Sequence, residues 1–421
     1  MPLHGEFTPP GDKSISHRLI LLAIPADGEM TVAGLADGDD VQTSLKLFKS
    51  LGGEVRGSGS RITLRGLGGR VKTDPDRPVE LDCGNSGTTA RLLAGLAVGL
   101  PGVYIFDGDA QLRRRPMERL AEPLRRMGGH VETTGGGLPL TITGGNPLHG
   151  IEFINHEGSA QLKSAVILAT LNAAGPSRII EPVPTRDHTE RLVRAFGGRI
   201  TLAGSTLEVQ PGRLTLVPEI AVPADPSSAA FFLTGAAIIA GSRVTARNLL
   251  LSTGRIGFLR VLDRMGAEVT INLEQEKPEP SGSVTVAGRG SLKATEVTAG
   301  EVPSLVDEVP ILALAAAFAG GTTVFRNMRE LRLKETDRLT AIRHQLGALG
   351  VRVRVEGDDL FVTGPTRLIL PETLDSGHDH RLAMTLLMAR HIARSQTPVL
   401  GEESLSISYP TFKADLAGLT T

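Results

Sequence analysis

Two cations and two carboxylates crowd into Lys334-Glu335-Thr336-Asp337-Arg338. Cations this dense suit a carboxylate or phosphate ligand. Further cations stand at other points where the sequence predicts a helix to begin: Lys13 and Arg18, Arg115, Arg186, and Arg381. A helix start offers unpaired backbone N–H groups and a partial positive charge, so it attracts anions even without side chains. One such cluster, taken alone, reads as a charged first turn, with Thr336 as the N-cap in the Lys334–Arg338 case. Several at equivalent points of a repeating chain, aimed at one cleft, make a trap for a polyanionic small molecule.

The elements that must position these groups follow from hydrophobic spacing. An apolar run ends at Phe325, and Leu339, Ile342, Leu346 and Leu349 then recur three and four apart. That spacing predicts a helix starting near Thr336. If the turn is already helical at Lys334, then Lys334, Glu335 and Arg338 share one face.

The chain repeats itself at intervals of roughly 70 to 80 residues. One feature is an amphipathic helix ending in glycine before a strand: Gly52, Gly128, Gly197, Gly266 and Gly350 mark the copies. Glycine past a helix end supplies the left-handed cap. Alternating with it is a polar or small cluster that opens an Ala/Leu-rich helix. These clusters begin at Lys13, Asn85, Ser159, Asp225, Asp307 and Asp379. Each unit is expected to run strand, buried helix, strand, amphipathic helix, two strands. Six such units divide as three and three, with the Pro-rich Val217–Pro226 stretch as the mid-chain boundary.

Composition limits the partners. The chain has 421 residues, enough for two domains. Forty-five basic and 46 acidic residues argue against a nucleic-acid or membrane partner. A single cysteine, Cys83, excludes an intramolecular disulfide and a cysteine-rich metal site. The segment Met1–Glu6 lacks a signal peptide's basic and apolar regions, so a cytoplasmic enzyme is expected. No Walker loop, dinucleotide fingerprint or zinc spacing is present.

Six ordered motifs resemble those of the enolpyruvyl transferases. They are Gly11-Asp12-Lys13-Ser14-Ile15-Ser16-His17-Arg18, Gly84-Asn85-Ser86-Gly87-Thr88-Thr89-Ala90-Arg91, Arg114-Arg115-Pro116-Met117, Ser159-Ala160-Gln161, Lys334-Glu335-Thr336-Asp337-Arg338 and Asp379-His380-Arg381. The resemblance implies an α/β (α+β) fold, a two-domain inverse α/β barrel. Each domain would hold three βαβαββ units around buried helices. The expected domains are 13–224 on the shikimate 3-phosphate side, and 1–12 with 225–421 on the phosphoenolpyruvate side. The active site would lie in the cleft between them. The implied reaction moves the enolpyruvyl group of phosphoenolpyruvate to the 5-hydroxyl of shikimate 3-phosphate and releases phosphate. No cofactor or metal is implied, and a monomer is the expected state.

The same resemblance assigns roles to residues. Asp307 would take the proton from the 5-hydroxyl. Glu335 would protonate the methylene carbon of phosphoenolpyruvate and later remove a proton, with Lys13 serving in proton transfer. Shikimate 3-phosphate would be held by Lys13, Ser14, Arg18, Ser159, Ala160, Gln161, Arg186, Asp307 and Lys334. Phosphoenolpyruvate would meet Lys13, Asn85, Gly87, Thr88, Arg115, Gln161, Arg338 and Arg381. Arg91 would brace the glycine loop, and Arg113 and Arg114 would face solvent. A methyl group at position 87 would project into space used by glyphosate, an inhibitor of many family members.

One departure stands out. Many members carry a lysine three residues before the last Phe-Pro or Tyr-Pro, and here Ile407 takes that place in Ser406-Ile407-Ser408-Tyr409-Pro410. Lys413 is nearby, but the role is not carried over to it. Transfer to UDP-N-acetylglucosamine is the nearest rival, yet that branch usually carries a cysteine in the loop that here runs from Gln111 to Met117 without one. An RNA-end-processing relative and a non-catalytic scaffold are further alternatives. Neutral charge opposes the first, and the pair Asp307 and Glu335 opposes the second.

Overall fold

A computed structural model describes residues 1–74 and 76–420. The chain forms a mixed α/β structure of two compact units, Gly11–Val222 and Met1–Pro10 with Pro223–Thr421.

In Gly11–Val222, three four-stranded sheets share one plan. The middle sheet pairs Val79–Asp82 in parallel with Gly102–Asp107. Gly102–Asp107 then pairs antiparallel with Gly137–Gly144, and His130–Thr134 closes the far edge. A parallel pair needs a crossover, supplied here by the buried helix Gly87–Ala97. The antiparallel pairs need only hairpins. Glu152–Ile154, Ser177–Ile180, Thr206–Val209 and Ile200–Ala203 repeat the arrangement. In the first sheet the parallel edge strand is Glu219–Ala221, from the far end of the unit, which lies beside Glu29–Ala33.

The other unit borrows a strand in the same way. His4–Phe7 runs parallel to Arg243–Leu250, which pairs with Ser281–Ala287 and through it with Glu268–Gln275. Phe7 meets Phe232 edge-on at 5.1 Å, and Phe232 stacks on Phe412 at 4.8 Å. Both chain ends are thereby fastened to the helix Pro226–Ile238.

The two helix types differ as their sequences require. Every residue from Pro226 to Ala237 is buried, as suits a helix apolar on all sides. Glu118–Arg126 buries Leu120, Ala121, Pro123 and Leu124 and exposes Glu118, Glu122, Arg125 and Arg126. The five glycines that end the amphipathic helices all hold left-handed φ, between 82° and 99°.

The Lys334–Arg338 segment differs from the sequence expectation. Its helix runs Arg338–Ala348 and is capped by Asp337, whose side chain accepts from the Thr340 N–H. Thr336 is not the cap. Lys334 is extended, with φ −85° and ψ −161°, so Lys334, Glu335 and Arg338 do not share a helical face. Asp337 competes successfully for the cap because aspartate suits that position and Arg332 holds it at 3.0 Å. Likewise Asp307 and Glu308 form a 3₁₀ turn, and the α-helix starts at Val309.

Candidate active site

Lys13 opens the first buried helix, behind Asp12, which accepts from the Ile15 N–H at 2.8 Å. Its ammonium lies 2.9 Å from Asp40 at the start of the next helix, Asp39–Ser50. Beneath it His17 is fully buried. His17 Nδ1 stands 2.7 Å from the Ser44 hydroxyl, which is 2.7 Å from Thr89, itself 2.7 Å from Ser86. Burial chiefly, then the charges of Lys13 and Arg18, hold the His17 pKa well below its ordinary value. A neutral imidazole thus joins the lysine helix to the cap of the glycine loop, a link the sequence reading did not assign.

Asn85 spans that loop. Its amide donates to Asp109 and Gln111 at 2.7 Å each, and its oxygen accepts from Arg115 at 2.7 Å. Arg115 is therefore aimed by Asn85. Arg91 donates to Gln161 at 2.6 Å, and Gln161 donates to Thr88 at 2.9 Å. The bracing role expected of Arg91 has this physical form. A Cβ built on Gly87 would lie 2.8 Å from Arg115 Nη1 and 3.0 Å from Arg91 Nη1. An added methyl group therefore meets these two guanidinium ends first.

Ser159 caps the helix Ala160–Thr170, leaving Ser159, Ala160 and Gln161 partly exposed at its start. Arg18 is buried and donates to Thr189 at 2.7 Å, to the Ser14 carbonyl at 2.9 Å and to Ser164 at 3.0 Å. It ties three helices together at the place where Ser14 and Ser159 emerge. Arg186 is half-buried in the loop before helix His188–Ala195.

In the other unit, Arg338 organises the expected proton-handling groups. It is 1% exposed. Asp379 grips it with two oxygens, at 2.7 and 3.2 Å, while Glu335 lies 2.5 Å away and Asp307 3.6 Å away. Lys334 reaches to 3.5 Å from Asp307. Burial disfavours the Arg338 charge, but Asp379, Glu335 and Asp307 outweigh it and push its pKa above the ordinary arginine value. Convergence that the sequence attributed to helical spacing comes instead from this central guanidinium. Arg381 is the second residue of helix His380–Ile392, and its buried Nη1 has no hydrogen-bond partner among the described residues. An anion there would satisfy that donor.

Sequence reasoning missed Arg255. It is 2% exposed and donates to Asp225 at 2.9 Å and to Ser227 at 3.2 Å. Ser227 in turn donates to Glu308, the neighbour of Asp307. The repeat itself carried the signal: Arg115, Arg186, Arg255 and Arg338 each stand just before or at the start of an amphipathic helix.

Arg113 pairs with Asp107 at the surface, and Arg114 is also exposed. Cys83 is buried, and burial above all pushes its thiol pKa far up, which leaves it inert at neutral pH. Lys413 pairs with Glu402 at 2.6 Å, and Ile407 lies partly buried in the turn Glu402–Ile407.

Clustered arginines and lysines beside partly buried carboxylates are groups suited to small anionic ligands. The family model for EPSP synthase (3-phosphoshikimate 1-carboxyvinyltransferase) matches residues 1–416, and the chain belongs to that family. It is 42% identical to the 3-phosphoshikimate 1-carboxyvinyltransferase of Lactiplantibacillus plantarum over 99% of this chain and 96% of that one. The enzyme of the same name from Bacillus cereus is 39% identical, over 99% and 97%. Among solved structures, EPSP synthase from Acinetobacter baumannii superposes with a TM-score of 0.84 at 37% identity, covering 99% of this chain and 95% of that chain. The enolpyruvyl transferase NikO from Streptomyces tendae gives 0.78 at 20% identity, covering 100% and 95%, a likeness of fold. Among the described residues, no helix is long and apolar enough to cross a membrane.

Proposed function

We propose that this chain transfers the enolpyruvyl group of phosphoenolpyruvate to the 5-hydroxyl of shikimate 3-phosphate by addition and elimination. The observation that carries the reading is the arrangement of Asp307 and Glu335 around Arg338, with Lys334 beside Asp307, in a chain that belongs to the EPSP synthase family along almost its whole length. Asp307 takes the 5-hydroxyl proton as the oxygen attacks C2 of phosphoenolpyruvate, and Glu335 delivers a proton to C3. The adduct then loses phosphate, and Glu335 removes a proton from the new methyl group to restore the double bond. Lys13, Asn85, Gly87, Thr88, Arg115, Gln161, Arg338 and Arg381 contact phosphoenolpyruvate. Lys13, Ser14, Arg18, Ser159, Ala160, Gln161, Arg186, Asp307 and Lys334 contact shikimate 3-phosphate, and Lys13 shares in proton transfer. Fixed cations suit charge that develops on phosphate and carboxylate. We read the strand–helix units as two inverse α/β barrels of three units each, in a cytoplasmic monomer.

The acceptor is tested by phosphate release from phosphoenolpyruvate. Release is expected with shikimate 3-phosphate and not with UDP-N-acetylglucosamine; the reverse pattern would overturn the reading. In the same assay Arg186→Ala is expected to raise KM for shikimate 3-phosphate roughly tenfold, the scale of a lost hydrogen bond to a charged group.

In this reading the wild type is glyphosate-sensitive, because glycine at position 87 places no side chain against Arg115 and Arg91. Gly87→Ala would displace the ends of Arg115 and Arg91, which lie within 3.0 Å of the new methyl group. It is expected to weaken glyphosate more than phosphoenolpyruvate, with some loss of substrate affinity. Steady-state inhibition against phosphoenolpyruvate measures both. An alanine variant as sensitive as wild type would show that position 87 does not control the site.

A further inference from the structure

Below the start of helix Ala160–Thr170 lies a group of buried ions outside the proposed ligand contacts. Lys163 is 1% exposed, with its ammonium 2.8 Å from Glu181 and 2.7 Å from Glu190. Glu181 also accepts from the Thr185 hydroxyl at 2.6 Å and from the Asn155 amide at 3.1 Å. Asn155 completes a clasp on Ser159: its oxygen accepts the Ser159 N–H at 3.1 Å, and its amide donates to the Ser159 carbonyl at 3.2 Å. Glu190 follows Thr189, the residue that accepts from Arg18.

One carboxylate thus receives three donors, and each leads towards a different part of the proposed phosphate site. Through Asn155 it fixes Ser159, and through Thr185 it fixes the residue before Arg186. Through Lys163 and Glu190 it fixes the helix whose Thr189 holds Arg18. Burying one lysine with two carboxylates is costly, and such groups contribute little net stability compared with apolar packing. Their distinctive effect is geometric, because a fully bonded buried network has few alternative arrangements.

We propose that Glu181, with Lys163 and Thr185, is the positioning centre for the 3-phosphate site. It holds Ser159 and Arg186 at a fixed separation without touching the substrate. The inference rests on the assignment of Ser159 and Arg186 to the phosphate of shikimate 3-phosphate. It also predicts selectivity: disturbing the centre reduces the advantage of shikimate 3-phosphate over shikimate, which has the same ring and no phosphate.

Two variants test it. Thr185→Val deletes one hydroxyl at nearly constant volume and cuts the link to the Arg186 loop. Glu181→Gln keeps the shape but turns an amide donor towards the Lys163 ammonium. Each should raise KM for shikimate 3-phosphate roughly tenfold. KM for phosphoenolpyruvate should be unchanged, Thr185→Val should melt somewhat lower but remain fully folded at the assay temperature, and the affinity ratio of shikimate 3-phosphate to shikimate should fall in both variants. A merely structural role would not change that ratio selectively. If Glu181→Gln does not fold, Thr185→Val decides the matter alone. Arg186→Ala is the control. If it raises KM while folded Thr185→Val leaves both KM and the affinity ratio unchanged, the positioning role is wrong. If Arg186→Ala has no effect either, the phosphate assignment is wrong and the inference falls with it.

Discussion

Glu335→Gln and Asp307→Asn are each expected to lose ~100- to 10,000-fold in turnover while retaining substrate binding. Each substitution preserves shape and removes a group able to cycle a proton. The two side chains lie 2.5 and 3.6 Å from the same buried arginine, so their positions depend on Arg338 as well as on their own loops. Single-turnover kinetics beside equilibrium binding separates the two effects. Near-normal turnover in Glu335→Gln would remove that residue from the proton path. A parallel loss of binding and turnover would mean that its charge, and not its proton, is the contribution.

The second large effect concerns Asp379. Arg338 is 1% exposed and Asp379 fully buried, and the carboxylate also caps helix His380–Ile392 through the N–H groups of Arg381 and Leu382. Asp379→Ala breaks a buried pair and leaves a guanidinium short of its bidentate partner, at an expected cost of about 3–5 kcal/mol in stability. Glu335 remains beside Arg338 and will recover part of that, drawn away from the position proposed for proton transfer. Activity should therefore fall even below the melting transition. Asp379→Asn keeps the shape and one acceptor oxygen for Arg338 and the helix cap, so it should destabilise less than Asp379→Ala. Thermal or denaturant unfolding measures the series. A loss below about 1 kcal/mol for Asp379→Ala would show that the pair carries no special weight.

Local signals in the chain were readable where the cause was local. Glycine ends a helix through its own backbone freedom, and an Ala/Leu-rich run announces burial, so the repeating helix pattern emerged from spacing. The sequence motifs also led to the enolpyruvyl transferases, the family group to which the comparisons point. The Lys334–Arg338 segment was misread because two neighbours, Thr336 and Asp337, can both cap a helix. The choice between them depends on Arg332 and on the distant Asp379. Arg255 was legible in principle from its place in the repeat. The Lys163, Glu181 and Glu190 group was not, because it joins a helix interior, a strand end and a second helix, whose proximity exists only after folding.

The central claim is that Glu335 gives a proton to C3 of phosphoenolpyruvate and takes one back. Turnover in deuterium oxide tests it most directly. In that solvent Glu335 delivers a deuteron to C3, and loss of a protium from the transient CH2D group leaves deuterium on the methylene carbon of the enolpyruvyl product. Glu335→Gln should form little labelled product even after prolonged incubation. Product formed at the wild-type rate with no deuterium on that carbon would contradict protonation at C3, and with it the addition–elimination path.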